Sequence, residues 1–257
     1  MTKVKICGIR RLEDALVAAE AGADLIGLVF VPGRPRRVDI ATASAIVAGV
    51  KAGVEAGARS KSKEPPGLVG LFADQPLDEV NQTIEACGLD LVQLCGDEST
   101  EYCEGARAKV IKVLHVPGSA HAPASQERKG GGAGLALGSL ETALGIHSQA
   151  GRLVTLDRLV DGIPGGTGQG FDWTIAAGLS RGGHSFILAG GLSPETVGRA
   201  IEEVQPWGVD VSSGVETAGV KDPEKIRAFI RNARNARNAR NAPNAGNAQN
   251  TRLRDGA

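Results

Sequence analysis

The chain has 257 residues, with 29 basic and 29 acidic side chains and only 3% aromatics. Six basic residues and one acid fall in residues 231–257, which leaves residues 1–230 with a net charge of −5. An acidic body with few rings argues against a nucleic-acid enzyme, and no stretch nears the ~18 apolar residues of a membrane span.

The N-terminus has no long apolar run of the secretory kind. The four cysteines, Cys7, Cys87, Cys95 and Cys103, form no C-x-x-C pair and fit no common zinc spacing. A reducing, cytoplasmic setting without a metal is therefore expected.

Along the chain, short apolar runs alternate with alanine-rich segments of helical period. Strands are predicted at Val4–Cys7, Asp24–Phe30, Gly67–Ala73, Asp90–Leu94, Lys109–His115, Leu153–Asp157, Ser185–Ala189 and Gly208–Ser212. Helices are predicted at Leu12–Ala21, Ile40–Ala56, Leu77–Cys87, near Leu140–Gln149, and at Pro194–Val204 and Pro223–Ala233. Ser193-Pro194-Glu195 and Asp222-Pro223-Glu224 read as an N-cap followed by proline at the first helical position. Ala58–Pro66 and Pro117–Gly134 read as polar, flexible insertions.

Eight β-α units imply an α/β fold of the closed (β/α)8 TIM-barrel type, a single domain over residues 1–230. From Arg231 the chain repeats Arg-Asn-Ala and related triplets. Residues 231–257 are therefore expected to be a disordered low-complexity tail.

In such a barrel the C-terminal ends of the strands form the reactive rim. Cys7 closes the first strand, although a buried thiol is ordinarily a small apolar side chain. Asp157 closes the sixth, where partial desolvation would raise its pKa and suit a general acid. Asp97 and Asp172 read more simply as helix caps, and Asp210 inside the eighth strand is ambiguous. Glycine-rich segments follow the last three strands: Gly165-Gly166-Thr167-Gly168, Gly190-Gly191 and Ser212-Ser213-Gly214. Three such loops in one quadrant point to a phosphate, bound through Gly166, Gly168, Gly190, Gly191, Ser212, Ser213 and Gly214. Arg36, in Arg34-Pro35-Arg36-Arg37, has the planar fork that clamps a carboxylate. Arg34 and Arg37 read as solvated.

Together these segments resemble the phosphoribosylanthranilate isomerase family. The resemblance is carried in order by Lys5-Ile6-Cys7-Gly8-Ile9, Arg34-Pro35-Arg36, Val92-Gln93-Leu94-Cys95-Gly96-Asp97-Glu98, Gly165–Gly168 with Phe171-Asp172-Trp173, Ala189–Glu195 and Gly208–Glu216. It spans residues 3 to about 230. It implies a cofactor-free Amadori rearrangement of N-(5-phosphoribosyl)anthranilate, an aminoaldose, to an aminoketose phosphate in tryptophan biosynthesis. It also implies Cys7 as base, Asp157 as acid, Arg36 on the anthranilate carboxylate and the glycine loops on the phosphate. The expected partner is a small phosphoribosyl substrate, and both a monomer and a homodimer fit these motifs.

The chain departs from the family at Cys95, where histidine is usual, and at Gln169-Gly170, where Lys-Thr is common. The other readings are a different phosphosugar barrel or a non-catalytic phosphoribosyl-binding module. A synthase would use a barrel lysine such as Lys5, Lys109 or Lys112. A metal-dependent epimerase would want strand-end histidines, of which only His115 is present.

Overall fold

The computed structural model describes residues 1–55, 64–116, 137–158 and 173–241. Most of the Ala58–Pro66 insertion, the Pro117–Gly134 loop, the Gly165–Gly168 segment, Gln169–Asp172 and residues 242–257 lie outside them.

Eight parallel strands close into a barrel: β1 (Lys3–Ile6), β2 (Leu25–Val29), β3 (Gly67–Phe72), β4 (Leu91–Leu94), β5 (Lys109–Val116), β6 (Leu153–Arg158), β7 (Ile187–Leu188) and β8 (Gly208–Val211). Each strand pairs with the next, and β8 returns to β1 with Lys5 opposite Asp210. The connecting helices are α1 (Leu12–Ala21), α2 (Ile40–Glu55), α3 (Leu77–Cys87), α4 (Thr100–Gly105), α5 (Leu137–Gln149), α6 (Trp173–Arg181), α7 (Val197–Val204) and α8 (Pro223–Asn241). Between β8 and α8 lie the 3-10 turn η1 (Ser213–Val215) and a small hairpin of β9 (Glu216–Thr217) and β10 (Val220–Lys221).

Strand periodicity splits the apolar residues into two cores. On β2, Ile26 and Leu28 face outward into the helix-covered core with Ile6, Phe72 and Leu156. Leu25 and Val29 face inward with Cys7, Val69, Leu71, Leu91, Ile111 and Ile187. Gly27 is the gap in that inner wall. A Cβ there would sit 3.0 Å from the Cys7 Sγ and 3.1 Å from Leu71, so glycine leaves room for the thiol.

The eight strands and six helices read from the sequence are all present; strand boundaries agree within two residues, and three helix boundaries move further, the first being the start of α5 at Leu137. The last helix does not stop at 233, nor does folded structure end at 230. It runs to Asn241, with Ala233 buried and Arg234 donating to the carbonyls of Thr2 and Gly22 and to Asp24. The repeat therefore starts inside the final barrel helix, because Ala233 and Ala236 of its first two triplets pack against the barrel. Helix α7 starts at Val197 rather than Pro194. Ser193 instead builds the preceding turn, its hydroxyl accepting from the Glu195 N–H and its carbonyl from that of Val197.

Asp222 caps α8 as expected, accepting from the N–H groups of Glu224 and Lys225. Asp97 does not cap α4, whose N-cap is Ser99, bonded to the Tyr102 N–H. Serine beside the first helical residue outcompetes an aspartate two positions earlier. Asp97 is exposed.

Candidate active site

Cys7 lies one residue beyond β1, buried, its N–H bonded to the Val211 carbonyl at 2.8 Å. The Ser212 hydroxyl donates to the Cys7 carbonyl at 3.2 Å, which fixes the thiol-bearing backbone to the end of β8. Burial pushes the thiol up from its ordinary value, against the opposing pull of Lys5. Lys221 adds to that pull and Asp210 works against it.

Asp157 is half-buried at the end of β6, and its Oδ1 accepts from the Arg158 N–H at 2.8 Å. Burial raises its pKa; His115 beside it pulls the other way and Asp210 adds to the rise. His115 sits opposite Asp157 in the β5–β6 register and bonds the Cys95 carbonyl through Nε2 at 3.0 Å. Gly190 comes so close that a Cβ there would lie 3.1 Å from the Asp157 Oδ1. Its φ of 86° also favours glycine. The Gly190 backbone thus borders the carboxyl as well as the loop read as a phosphate site.

Beneath both groups, Lys5 and Asp210 form an ion pair at 2.7 Å with side chains 1% and 8% exposed. Burial alone would lower the Lys5 pKa; the Asp210 carboxylate, together with Cys7 and Cys95, more than reverses this and holds the ammonium charged. Asp210 Oδ1, Gln93 Oε1 and Thr155 Oγ1 are buried and have no hydrogen-bond partner among the described residues.

Arg36, half-buried, forks onto Glu216 through Nε and Nη2 at 2.6 and 2.7 Å, leaving Nη1 outside the fork. Lys221 reaches the same carboxylate at 2.8 Å and the Ser212 carbonyl at 2.8 Å. Burial works against the Glu216 charge, but these hydrogen bonds bring its pKa down to about 2. Gly8, at φ 73°, lets the Arg36 stem pass; a Cβ there would lie 2.5 Å from its Cδ.

Ser212, Ser213 and Gly214 lead from β8 into η1. A Cβ on Gly214 would overlap the Leu192 carbonyl at 1.9 Å, so the loops after β7 and β8 meet backbone to backbone. Gly191 has φ 70°. Gly166 and Gly168 fall outside the described residues. Arg34 and Arg37 are exposed, as read.

Sequence reasoning left Lys5, Asp210, Glu216 and Lys221 without roles. For the first two a signal existed: they stand two residues before Cys7 and Ser212, on the same inward strand faces. For Glu216 none did, since its contact with Arg36 spans 180 residues of chain. Cys95 is half-buried and its thiol is pushed up to about 12 by burial. A separate cleft of about 540 Å³, bordered by His184, Trp207 and Ala236, involves none of these groups.

The fold and rim define a class, that of (β/α)8-barrel enzymes with ionisable side chains gathered at the C-terminal strand ends. The profile of the N-(5'-phosphoribosyl)anthranilate (PRA) isomerase family matches residues 4–135 and 140–232. A relative from Pseudomonas fluorescens named N-(5'-phosphoribosyl)anthranilate isomerase is 44% identical over 234 residues, 90% of this chain and 94% of that one. One of the same name from Myxococcus xanthus is 41% identical over 90% of this chain and 96% of its own. The crystal structure of phosphoribosyl anthranilate isomerase from Thermotoga maritima superposes with a TM-score of 0.72 at 32% identity, covering 91% of this chain and all of that one. The chain belongs to the N-(5'-phosphoribosyl)anthranilate isomerase family.

Proposed function

We propose that this chain isomerises N-(5'-phosphoribosyl)anthranilate to the aminoketose 1-(2-carboxyphenylamino)-1-deoxyribulose 5-phosphate, with Asp157 as general acid and Cys7 as general base. The observation that carries the reading is the pair itself. A raised carboxyl and a thiol facing a buried ammonium stand at strand ends of one barrel rim. A related structure, 31% identical with a TM-score of 0.68, holds the reduced form of that aminoketose phosphate.

Protonated Asp157 gives its proton to the furanose ring oxygen, and the C1–O bond breaks to leave an open-chain iminium. The Cys7 thiolate takes the proton from C2, and its electron pair neutralises the iminium. The resulting enolamine tautomerises to the ketone. Asp157 must therefore start protonated and Cys7 ionised, which is what their environments must arrange. Arg36 offers Nη1 to the anthranilate carboxylate, while Glu216 holds the rest of its fork. The backbone around Gly190, Gly191 and Ser212–Gly214, together with Gly166 and Gly168, receives the phosphate. Residues 1–241 form the catalytic unit and the remaining repeat is an appendage. Among the described residues no helix is long and apolar enough to cross a membrane.

The test is loss of anthranilate-type fluorescence from freshly made substrate. Cys7→Ala and Asp157→Asn should each cut kcat about 10²–10⁴-fold with unchanged circular dichroism. Full turnover by Cys7→Ala would end this reading.

If Asp157 keeps the order of the ordinary values, 3.8 below 9.0, and ionises before Cys7, the working form is the minority one. kcat/KM should rise with pH up to the Asp157 pKa, stay flat, and fall once pH passes the Cys7 pKa. Both limbs are displaced upward from 3.8 and 9.0, since both groups are raised. A profile whose alkaline limb falls well below pH 9 would contradict the assignment.

A further inference from the structure

A buried ion pair is an expensive way to hold a strand pairing together. Taking both charges out of water commonly costs as much as their attraction returns, and an apolar pair of equal volume often does as well. The Lys5–Asp210 pair is a poor stabiliser on a second count. Asp210 Oδ1 is buried without a hydrogen-bond partner among the described residues. Buried carboxylate oxygens are rarely left so. The pair bridges β1 and β8, one turn of side chains below Cys7 and Ser212, at the centre of the reactive quadrant.

We propose that Lys5 and Asp210 are positioning residues that act as one charge couple. The ammonium serves the Cys7 thiolate and the open carboxylate oxygen serves the Asp157 carboxyl. This rests on the acid and base roles given above.

The signs support it. On Cys7, the favourable pull of Lys5 outweighs the opposing push of Asp210. On Asp157, the order reverses and Asp210 outweighs Lys5. The couple as a whole therefore brings the thiol down and the carboxyl up, the two directions the reaction needs. A single charge of either sign would move both groups the same way and change the gap only by the difference in its distances to them, whereas the couple moves them in opposite directions. The other charged or titratable groups facing Cys7 are Lys221, Arg36 and Cys95. His115, on the neighbouring strand, faces Asp157.

The test uses Lys5→Met, Asp210→Asn and the double variant, which leaves no unpaired buried charge if either single variant fails to fold. Two readouts are taken: the pH midpoint of Cys7 alkylation by iodoacetamide, resolved by mass spectrometry, and the limbs of the kcat/KM profile. Lys5→Met should raise the alkylation midpoint and the alkaline limb by about one to three on the pH scale, and Asp210→Asn should lower the acidic limb. The double variant should move the limbs apart and lower the plateau about tenfold or more, one decade per pH unit of added separation. Midpoints and limbs unmoved in a folded double variant would overturn the proposal. Alkylation needs no substrate, so this result is independent of whether Cys7→Ala abolishes turnover.

Discussion

Two of the buried lysine–carboxylate pairs among the described residues lie on opposite sides of the barrel wall. Outside it, Lys112 on β5 meets Glu98 at 2.8 Å, with side chains 6% and 1% exposed. Its ammonium also reaches the carbonyls of Leu94 and Gly96, while Glu98 Oε1 accepts from the N–H groups of Asp74 and Gly96. Each charged end is satisfied, and the loop after β4 is clamped to β5. Inside, Lys5–Asp210 has similar length and burial but leaves one oxygen open. Saturation marks the outer pair as a structural clamp. The open oxygen marks the inner pair as one that faces something else.

Cutting the outer clamp should give the largest stability effect. Lys112→Met leaves Glu98 buried and unpaired, and should cost about 3–5 kcal/mol in urea unfolding. The pH limbs of the folded fraction should stay in place. If they moved, the two pairs would not differ in kind. Burial opposes the Glu98 charge, but Lys112 and the backbone N–H groups hold its pKa below 4.5. The clamp's contribution is therefore full above pH 4.5 and is lost as pH falls through the lower, folded value.

A third pair, Arg234–Asp24, lies at the opposite end of the barrel, where Lys3 also bonds Asp24. Arg234→Ala should cost about 1.5–3 kcal/mol and leave kinetics unchanged. A truncation after residue 233 should show the same loss, whereas one after 241 keeps these bonds. Smaller still is Gly190→Ala, which forces a left-handed backbone at about 1–2 kcal/mol. It should slow turnover by crowding Asp157 without shifting Cys7 alkylation. A shift there would mean that the proposed acid and base are not separately held.

The barrel was legible because its information is local. Period-two strands, alanine-rich helices and Asp222-Pro223 each declare themselves within a few residues. So were the strand-end groups: Cys7 and Asp157 need only a strand and its direction. What was not legible crosses the barrel. Glu216 on Arg36 and Asp210 on Lys5 join residues 180 and 205 apart, and no spacing rule connects them. The tail misled for a different reason. Arg-Asn-Ala repeats look featureless as composition, yet at helical pitch they set Ala233 against the barrel and Arg234 over its lower end.

The seam between β8 and β1 has a consequence in time. The Cys7 N–H and carbonyl are held by Val211 of β8 and by Ser212 just after it, synthesised some two hundred positions later. The most non-local contacts of a chain are its slowest to form. The Cys7 thiol, the proposed base, therefore acquires its final setting at ring closure, and a chain still lacking its last strand should not turn over. Recovery of turnover during refolding would then report barrel closure itself, lagging behind any signal from the helices.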